Sequence, residues 1–135
     1  MIVGIGVDIV QVSRIRQLVE AHGERFLRRA FTDREVQYCS RCAHPEQRFA
    51  ARFAAKEAVL KALGVGWQKG ASFRDVEVCT NQLGAPNIEL HGRTLELSRR
   101  LGVDRIQISL SHDRTYAVAQ AVAERLEAGA CPPPP

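Results

Sequence analysis

Residues 48–63 read Arg-Phe-Ala-Ala-Arg-Phe-Ala-Ala-Lys-Glu-Ala-Val-Leu-Lys-Ala-Leu, and this stretch decides the fold. Its apolar residues cover most of the circumference of a helix, so the sequence predicts a long helix buried near the centre of a domain. The helix begins at His44-Pro45, because proline at the first helical position lacks only an amide that would be unpaired there. Gly64 and Gly66 end it. The charged residues of such a buried helix need an explanation.

The charges of this helix form two stripes. At ~100° per residue, one stripe contains Arg48, Arg52 and Lys56, and the other contains Glu57 and Lys61. The ordinary interpretation is two solvated faces, with a salt bridge between Glu57 and Lys61 that adds only about 0.2–0.5 kcal/mol. A functional interpretation needs a further charged residue from elsewhere in the chain.

Residues 2–10, with their β-branched side chains and glycines, predict a buried strand that another backbone or a ligand can approach closely. Asp8 is the only charge in this strand. A buried carboxylate costs several kcal/mol unless it is paired or binds a metal. Two alternatives follow. Asp8 forms a buried salt bridge to Arg52 or Lys56, or it shares a Mg²⁺ site with Glu57. The second alternative is chemically reasonable because Mg²⁺ takes one or two carboxylates and completes its coordination shell with water and substrate phosphates. The spacing does not choose between them.

Caps and turn residues predict the remaining elements. A basic helix runs from a Ser13 cap to about Ala30, and Thr32-Asp-Arg-Glu35 is a capping box that starts a short helix. The rest of the chain predicts a strand at 73–78, a turn at 81–86, a strand near 88–90, a helix at 92–101 and a hairpin of strands 105–111 and 116–123. This order indicates an α+β fold, a single domain with a mainly antiparallel sheet packed against the long helix.

The length, composition and net charge of the chain limit the class of protein. The 135 residues, 45% of them hydrophobic, predict one domain at 1–128 and a disordered proline-rich tail at 129–135. A net charge of +4 favours anionic partners such as phosphates or an acidic protein. The sequence contains neither a transmembrane run nor a secretory signal, so we expect a cytoplasmic protein that does not bind membranes. Its four cysteines are expected to be reduced.

Two other functions have partial signals in the sequence. Cys39-Ser-Arg-Cys42 with His44 resembles half of a zinc site, but a structural site needs four ligands and no second pair follows. A redox role for the pair is weak because it does not lie at a helix start. The arginines of residues 14–29 suggest a nucleic-acid-binding module. Only eight aromatic residues and no recognised nucleic-acid motif accompany them, and that function leaves Asp8 and Glu57 unexplained, so we expect no nucleic-acid partner.

Several blocks together resemble a known family. They are Gly4-Ile-Gly-Val-Asp8 with Arg14-Ile15, Phe31-Thr-Asp-Arg-Glu35, Arg52-Phe-Ala-Ala-Lys-Glu-Ala58 with Lys61-Ala62, and Ser109-Leu-Ser-His112. In this order, from residue 2 to about 123, they resemble the holo-acyl-carrier-protein synthases, the small trimeric type of the 4′-phosphopantetheinyl transferase superfamily. Ala51 stands where the family often has glycine.

The resemblance implies an enzyme that transfers the 4′-phosphopantetheine of coenzyme A to a serine of an apo acyl carrier protein, releasing adenosine 3′,5′-bisphosphate. It implies that Asp8 and Glu57 bind Mg²⁺, with Mn²⁺ as an alternative ion, and that Lys61 holds the phosphates of coenzyme A. Asp8, Glu57 and Lys61 are therefore the predicted catalytic residues. The proton acceptor stays open among a metal-bound water and these three side chains.

The resemblance also implies the binding partners. Arg52, the Gly70-Ala-Ser72 loop, the Gly84-Ala-Pro86 turn and His112 are expected to hold the nucleotide, although a histidine in a polar turn is otherwise an ordinary surface residue. Acyl carrier proteins are acidic, so Arg14 and Arg16 are expected to form the docking surface, with a solvated face as the alternative. The resemblance further implies a homotrimer with sites between subunits, in fatty acid biosynthesis and lipid metabolism. It leaves open whether the carrier is of fatty-acid or polyketide type.

Overall fold

The computed structural model describes residues 1–65 and 72–128, in which two antiparallel sheets surround a long helix. Within these ranges the elements are, in chain order, β1 (Ile2–Gln11), α1 (Val12–His22), α2 (Glu24–Ala30), α3 (Asp33–Ser40), α4 (Pro45–Ala62), a 3-10 turn (Phe73–Asp75), β2 (Val76–Thr80), β3 (Pro86–Leu90), α5 (Gly92–Arg100), β4 (Arg105–His112) and β5 (Tyr116–Glu124). None of the described helices combines the length and apolar character needed to cross a membrane.

The first and last strands of the chain pair in one sheet. Its order is β1-β5-β4, and β2 pairs with β3 in a separate two-stranded sheet. All of these pairs are antiparallel. Helix α4 packs across β1, β5 and β4, as the buried helix predicted from residues 48–63 should. The predicted α+β fold is confirmed, with two sheets in place of one.

Glycine and alanine let α4 lie very close to the sheet. A Cβ atom on Gly4 would overlap the carbonyl oxygen of Ala62, and one on Gly6 would overlap that of Ala58. On the neighbouring strand β5, the inward positions are alanines that are almost fully buried, namely Ala117, Ala119, Ala121 and Ala123. The glycines predicted to permit a close approach therefore serve the helix backbone.

Strand β1 is buried on one face only, so the prediction of a buried strand is correct for that face and wrong for the other. Ile5, Val7 and Ile9 point away from α4 and are 65%, 58% and 64% exposed in the single chain. The register places Val118 opposite Ile9, and Val118 and Tyr116 on β5 are also exposed. We call these five residues the outer face.

The predicted basic helix of residues 13–30 is two helices. Helix α1 begins at Val12, with Gln11 as its N-cap and no side-chain cap, so the predicted Ser13 cap was wrong. Gly23 separates α1 from α2 with φ 54° and ψ −130°, a conformation that favours glycine. Ile15 of α1 is fully buried.

Two other boundaries differ from the predictions. Phe73 lies in the 3-10 turn, and β2 starts only at Val76. Helix α4 ends at Ala62, and Gly64 follows with φ 70°, so the predicted stop is confirmed at this residue. Gly66 lies outside the described residues.

Lys56 forms a buried ion pair with Glu35, which places it in the core and not on a solvated face. Its Nζ is 2.6 Å from Glu35 Oε1 and also donates to the carbonyl oxygens of Phe73 and Val76. Both side chains are fully buried. Burial lowers the pKa of Lys56, against the raising effect of the Glu35 charge. The pair joins α3, α4 and the start of β2.

Glu35 completes the capping box as predicted. Its Oε1 accepts from the amide of Thr32, and the amide of Glu35 donates to the Thr32 hydroxyl. Its second oxygen accepts from the amide of Val78 in β2. One carboxylate therefore caps a helix, pairs with a lysine and anchors a strand.

We predict that Lys56→Met lowers the free energy of unfolding by about 3–5 kcal/mol, because Glu35 is then left buried without its charge partner. Urea unfolding measures this loss. The double variant Glu35→Gln/Lys56→Met should lose less than the sum of the two single variants. Arg100→Met, at an exposed position, is the control and should change the free energy by less than about 0.5 kcal/mol. A loss below about 1 kcal/mol for Lys56→Met would contradict the structural role of the pair.

Candidate functional site

Strand β1 and helix α4 bring Asp8, Glu57 and Lys61 together at one edge of the three-stranded sheet. Asp8 follows Gly4 and Gly6 on the face of β1 that packs against α4. Lys61 Nζ donates to Asp8 Oδ1 at 3.2 Å and to the carbonyl oxygen of Val7 at 3.0 Å. The close approach of helix and strand allows both contacts.

The ion pair of Asp8 is with Lys61. The alternative bridge to Arg52 or Lys56 does not form, because Lys56 is used by Glu35 and Arg52 points to the other side of α4. The ordinary salt bridge between Glu57 and Lys61 is also absent from the contacts of the described residues, since Lys61 turns to β1.

Glu57 lies half-buried beside Asp8. Burial raises the pKa of Glu57, and the negative charge of Asp8 raises it further. The positive charges of Lys61 and Arg14 act in the opposite direction. Within the described ranges, Glu57 makes neither a hydrogen bond nor an ion pair. Two carboxylates that repel each other, one of them unpaired, are a donor set that fits a divalent cation with a preference for oxygen ligands.

A cleft of about 260 Å³ lies at the other edge of the sheet, between α3, α4, β2, β4 and the turn that joins β2 to β3. Its lining residues are Tyr38, Arg48, Ala51, Arg52, Val78, Thr80, Gly84, Pro86, Ile108, Ser109, Leu110 and His112. The turn is held by Asn81, whose Oδ1 accepts from the amides of Leu83 and Ala85. This volume is close to the lower end of the roughly 300–1,000 Å³ that ligand sites typically enclose.

Arg52 and His112 carry buried polar atoms that have no partner in the described residues. Arg52 lies over the ring of Tyr38, 4.3 Å from its centroid, and Nη2 donates to Thr80 Oγ1 at 3.1 Å. Its Nε and the Nδ1 of His112 are buried and unpaired. Burial lowers the pKa of His112, and the charge of Arg48 lowers it further. Unpaired buried groups of this kind are costly unless a ligand satisfies them.

The predicted site residues therefore fall into two groups in one chain. Asp8 is on edge strand β1 and His112 is on edge strand β4, with β5 between them. At 100° per residue, Lys61 lies about 180° around α4 from Arg52. The carboxylates with Lys61 and the cleft with Arg52, Pro86 and His112 are thus on opposite sides of the central helix.

Other predicted residues lie outside both groups. The hydroxyl of Ser72 accepts from the amide of Arg74, and Ser72 is not in the cleft lining; Gly70 lies outside the described residues. Arg16 pairs at 3.7 Å with Glu46 on the surface. Arg14, expected to dock a carrier protein, lies near enough to Glu57 to influence its pKa.

Sequence reasoning missed Arg48 and Tyr38 as cleft residues. Arg48 was placed only in a solvated stripe, although its i, i+4 spacing to Arg52 was a signal that the two share one side of α4. Nothing in the sequence pattern pointed to Tyr38. Its ring reaches Arg52 from α3.

The cysteines add no metal or disulfide in the described part of the chain. Cys39, Cys42 and Cys79 are free thiols, and burial raises the pKa of Cys39 to about 12. Cys79 lies with Glu77 and Glu89 in a group with ligand-like spacing. Arg34 Nη2 lies within 3.0–3.3 Å of all three side chains, so a guanidinium already supplies the positive charge.

This chain is similar over most of its length to known proteins of one family. The family model of the 4′-phosphopantetheinyl transferase superfamily matches residues 4–123. A holo-[acyl-carrier-protein] synthase of Geobacter sulfurreducens is 48% identical over 125 residues, which cover 93% of this chain and 99% of that protein. The crystal structure of holo-[acyl-carrier-protein] synthase from Neisseria meningitidis superposes with a TM-score of 0.84 at 36% identity, covering 93% of this chain and 100% of that one.

A second solved structure, the Helicobacter pylori holo-[acyl-carrier-protein] synthase in complex with coenzyme A, has a TM-score of 0.79 at 33% identity and covers 89% of this chain and 99% of that one. The match extends over nearly the whole length of all these proteins. The chain therefore belongs to the 4′-phosphopantetheinyl transferase superfamily and, within it, to the holo-[acyl-carrier-protein] synthase family.

Proposed function

We propose that this chain transfers the 4′-phosphopantetheine group of coenzyme A to a serine of an apo acyl carrier protein, with Asp8 and Glu57 holding a Mg²⁺ ion. The observation that carries the proposal is the pair of neighbouring carboxylates beside Lys61 at the edge of β1. The carrier protein follows from the printed name of the relatives, and coenzyme A from the ligand of the Helicobacter pylori protein.

The residues of this edge suit attack on a diphosphate. When bound, the ion would neutralise charge that develops on the phosphoryl oxygens. Lys61 Nζ has one N–H left after donating to Val7 and Asp8, and it can donate this to a phosphate oxygen. The serine hydroxyl forms the new P–O bond at the β-phosphate, its proton is lost to a base, and adenosine 3′,5′-bisphosphate leaves.

We further propose that a complete site forms between two subunits of a homotrimer. The cleft with Arg52, Pro86 and His112 would take the nucleotide of a coenzyme A whose diphosphate lies on the carboxylates of a neighbouring chain. The support is the position of the two groups on opposite sides of α4. The exposed apolar outer face gives such subunits a surface to bury.

The carrier protein is proposed to dock on α1. Arg14 and Arg16 are both on this helix, and Arg14 is near the carboxylate pair. An acidic carrier bound there would bring its serine to the edge of β1 where the diphosphate is attacked, which suits charge-guided association.

Replacement of either carboxylate should remove transfer. We expect Asp8→Asn and Glu57→Gln each to lower the rate about 100-fold or more, since several kcal/mol of charge stabilisation are lost. The measurement is mass spectrometry of an apo acyl carrier protein incubated with coenzyme A and Mg²⁺, in which transfer adds the mass of one phosphopantetheine.

Chelation of divalent ions should have the same effect, and added Mg²⁺ should restore transfer. Glu127→Gln, at an exposed position far along the chain, is the matched control and should keep wild-type activity. Wild-type rates in either carboxylate variant would rule out the metal role, and an unmodified carrier with wild-type enzyme would rule out the transfer itself.

The outer face provides a separate prediction. Val7→Asp should convert the trimer to smaller species, because a buried unpaired carboxylate at a subunit contact costs several kcal/mol. Light scattering after size-exclusion chromatography measures the mass. The control is Leu83→Asp, at an apolar residue of the β2–β3 turn that is 94% exposed, and this variant should remain trimeric. A wild-type protein with the mass of one chain would contradict the assembly.

A further inference from the structure

The two glutamates of α4, Glu46 and Glu57, lie on the same side of this helix. At 100° per residue, the step from one to the other is about 1,100°, close to three full turns. Helix α1 packs against α4, and its two arginines reach these acids. Arg14 influences the pKa of Glu57, and Arg16 Nη2 is 3.7 Å from Glu46 Oε1. Helix α4 therefore presents an acid to each arginine expected to dock a carrier protein.

The pair of Arg16 and Glu46 is loose. Its distance of 3.7 Å exceeds the roughly 2.7–2.9 Å of a charge-assisted hydrogen bond. The two side chains are 52% and 31% exposed. Such pairs contribute little to stability, because water screens the charges and both long side chains lose freedom. A carboxylate from another protein can therefore replace Glu46 at this guanidinium.

Glu46 reduces the positive charge that α1 offers to a partner. The charged or titratable residues on the exposed side of α1 are Arg14, Arg16, Glu20 and His22. Among the residues that the structure describes, Arg14 makes neither an ion pair nor a hydrogen bond, whereas Arg16 is held by Glu46. An acidic partner that approaches this surface meets one unpaired arginine and one that is already compensated.

The proposed function, on which this inference rests, places an acidic carrier protein on α1. We propose that Glu46 is an internal competitor for Arg16 that sets how tightly the enzyme holds its carrier protein. Docking exchanges Glu46 for a carboxylate of the carrier, and Glu46 then turns to solvent. The apo and holo carriers share the same acidic surface, so the competition also lets the modified carrier leave.

A purely structural pair predicts the opposite effect. If the contact between Arg16 and Glu46 serves only to hold α1 on α4, its loss loosens the docking helix and weakens carrier binding. If Glu46 competes with the carrier, its neutralisation strengthens carrier binding. The sign of the change in the Glu46→Gln variant therefore separates the two roles.

The first test is transfer at varied carrier concentration, followed by mass spectrometry. In Glu46→Gln we expect the KM for the apo carrier to fall about two- to fivefold, with kcat and the KM for coenzyme A changed less than about twofold. Inhibition by the holo carrier should strengthen by the same factor as the KM falls. Glu96→Gln changes the net charge equally at an exposed position of α5 and should keep the wild-type KM. A carrier KM that rises or stays constant in Glu46→Gln, or that falls equally in Glu96→Gln, would overturn the role.

A double-variant cycle tests whether Glu46 acts through Arg16. Arg16→Gln should raise the KM for the carrier, because one docking charge is lost. Adding Glu46→Gln to this variant should then change the KM less than about 1.5-fold, since no guanidinium is left to compete for. A fall of the same size with and without Arg16 would show direct repulsion of the carrier by Glu46, and the competition would be refuted.

Binding without transfer separates this inference from the proposed function. Fluorescence anisotropy of a labelled apo acyl carrier protein, without coenzyme A, should show tighter binding to Glu46→Gln at low salt and a steeper loss of affinity as NaCl is added. The same salt dependence as in the wild type would overturn the role. If the wild-type enzyme binds the carrier but does not modify it, the proposed transfer fails while this experiment still decides the role of Glu46. A carrier that binds neither protein would overturn the inference.

Discussion

The contact between the backbones of β1 and α4 determines the position of everything else in the site. Gly4 and Gly6 have no Cβ, so the strand meets the carbonyl oxygens of Ala62 and Ala58 directly. A side chain at either glycine would push the strand away from the helix. Asp8 follows on the same face of the strand, and the short distance between the backbones allows Lys61 to reach both Asp8 and the carbonyl oxygen of Val7. Glu57, one turn before Lys61, then lies beside Asp8.

A second constraint holds the other side of α4. The buried pair of Lys56 and Glu35 ties the helix to α3 and β2, which form two walls of the cleft. Tyr38 projects from α3 onto Arg52, and Thr80 at the end of β2 accepts from it. The same helix therefore holds the two carboxylates with Lys61 on one side and lines a cationic cleft on the other.

The sequence predicted the parts of this structure that depend on local pattern. Helix α4, the capping box of Thr32 and Glu35, and the close approach at Gly4 and Gly6 all follow from residue type and spacing. The burial of Lys56 could not be predicted in this way. Its partner Glu35 lies 21 residues away, and helical periodicity cannot identify which charges meet across the fold. The exposed face of β1 was missed for a similar reason. An apolar run looks the same whether a helix or another subunit covers it.

Subunit mixing tests most directly the claim that one site is built from two chains. Glu57→Gln and Arg52→Gln each damage a different half of the site, so either variant alone should be nearly inactive. When the two variants are refolded together in equal amounts, about a quarter of the sites should be active. Each site takes its carboxylate pair from one subunit and its cleft from a neighbour, half of each kind are intact, and the subunits combine at random. A mixture no more active than the separate variants, with mixed trimers verified by native mass spectrometry, would contradict the account.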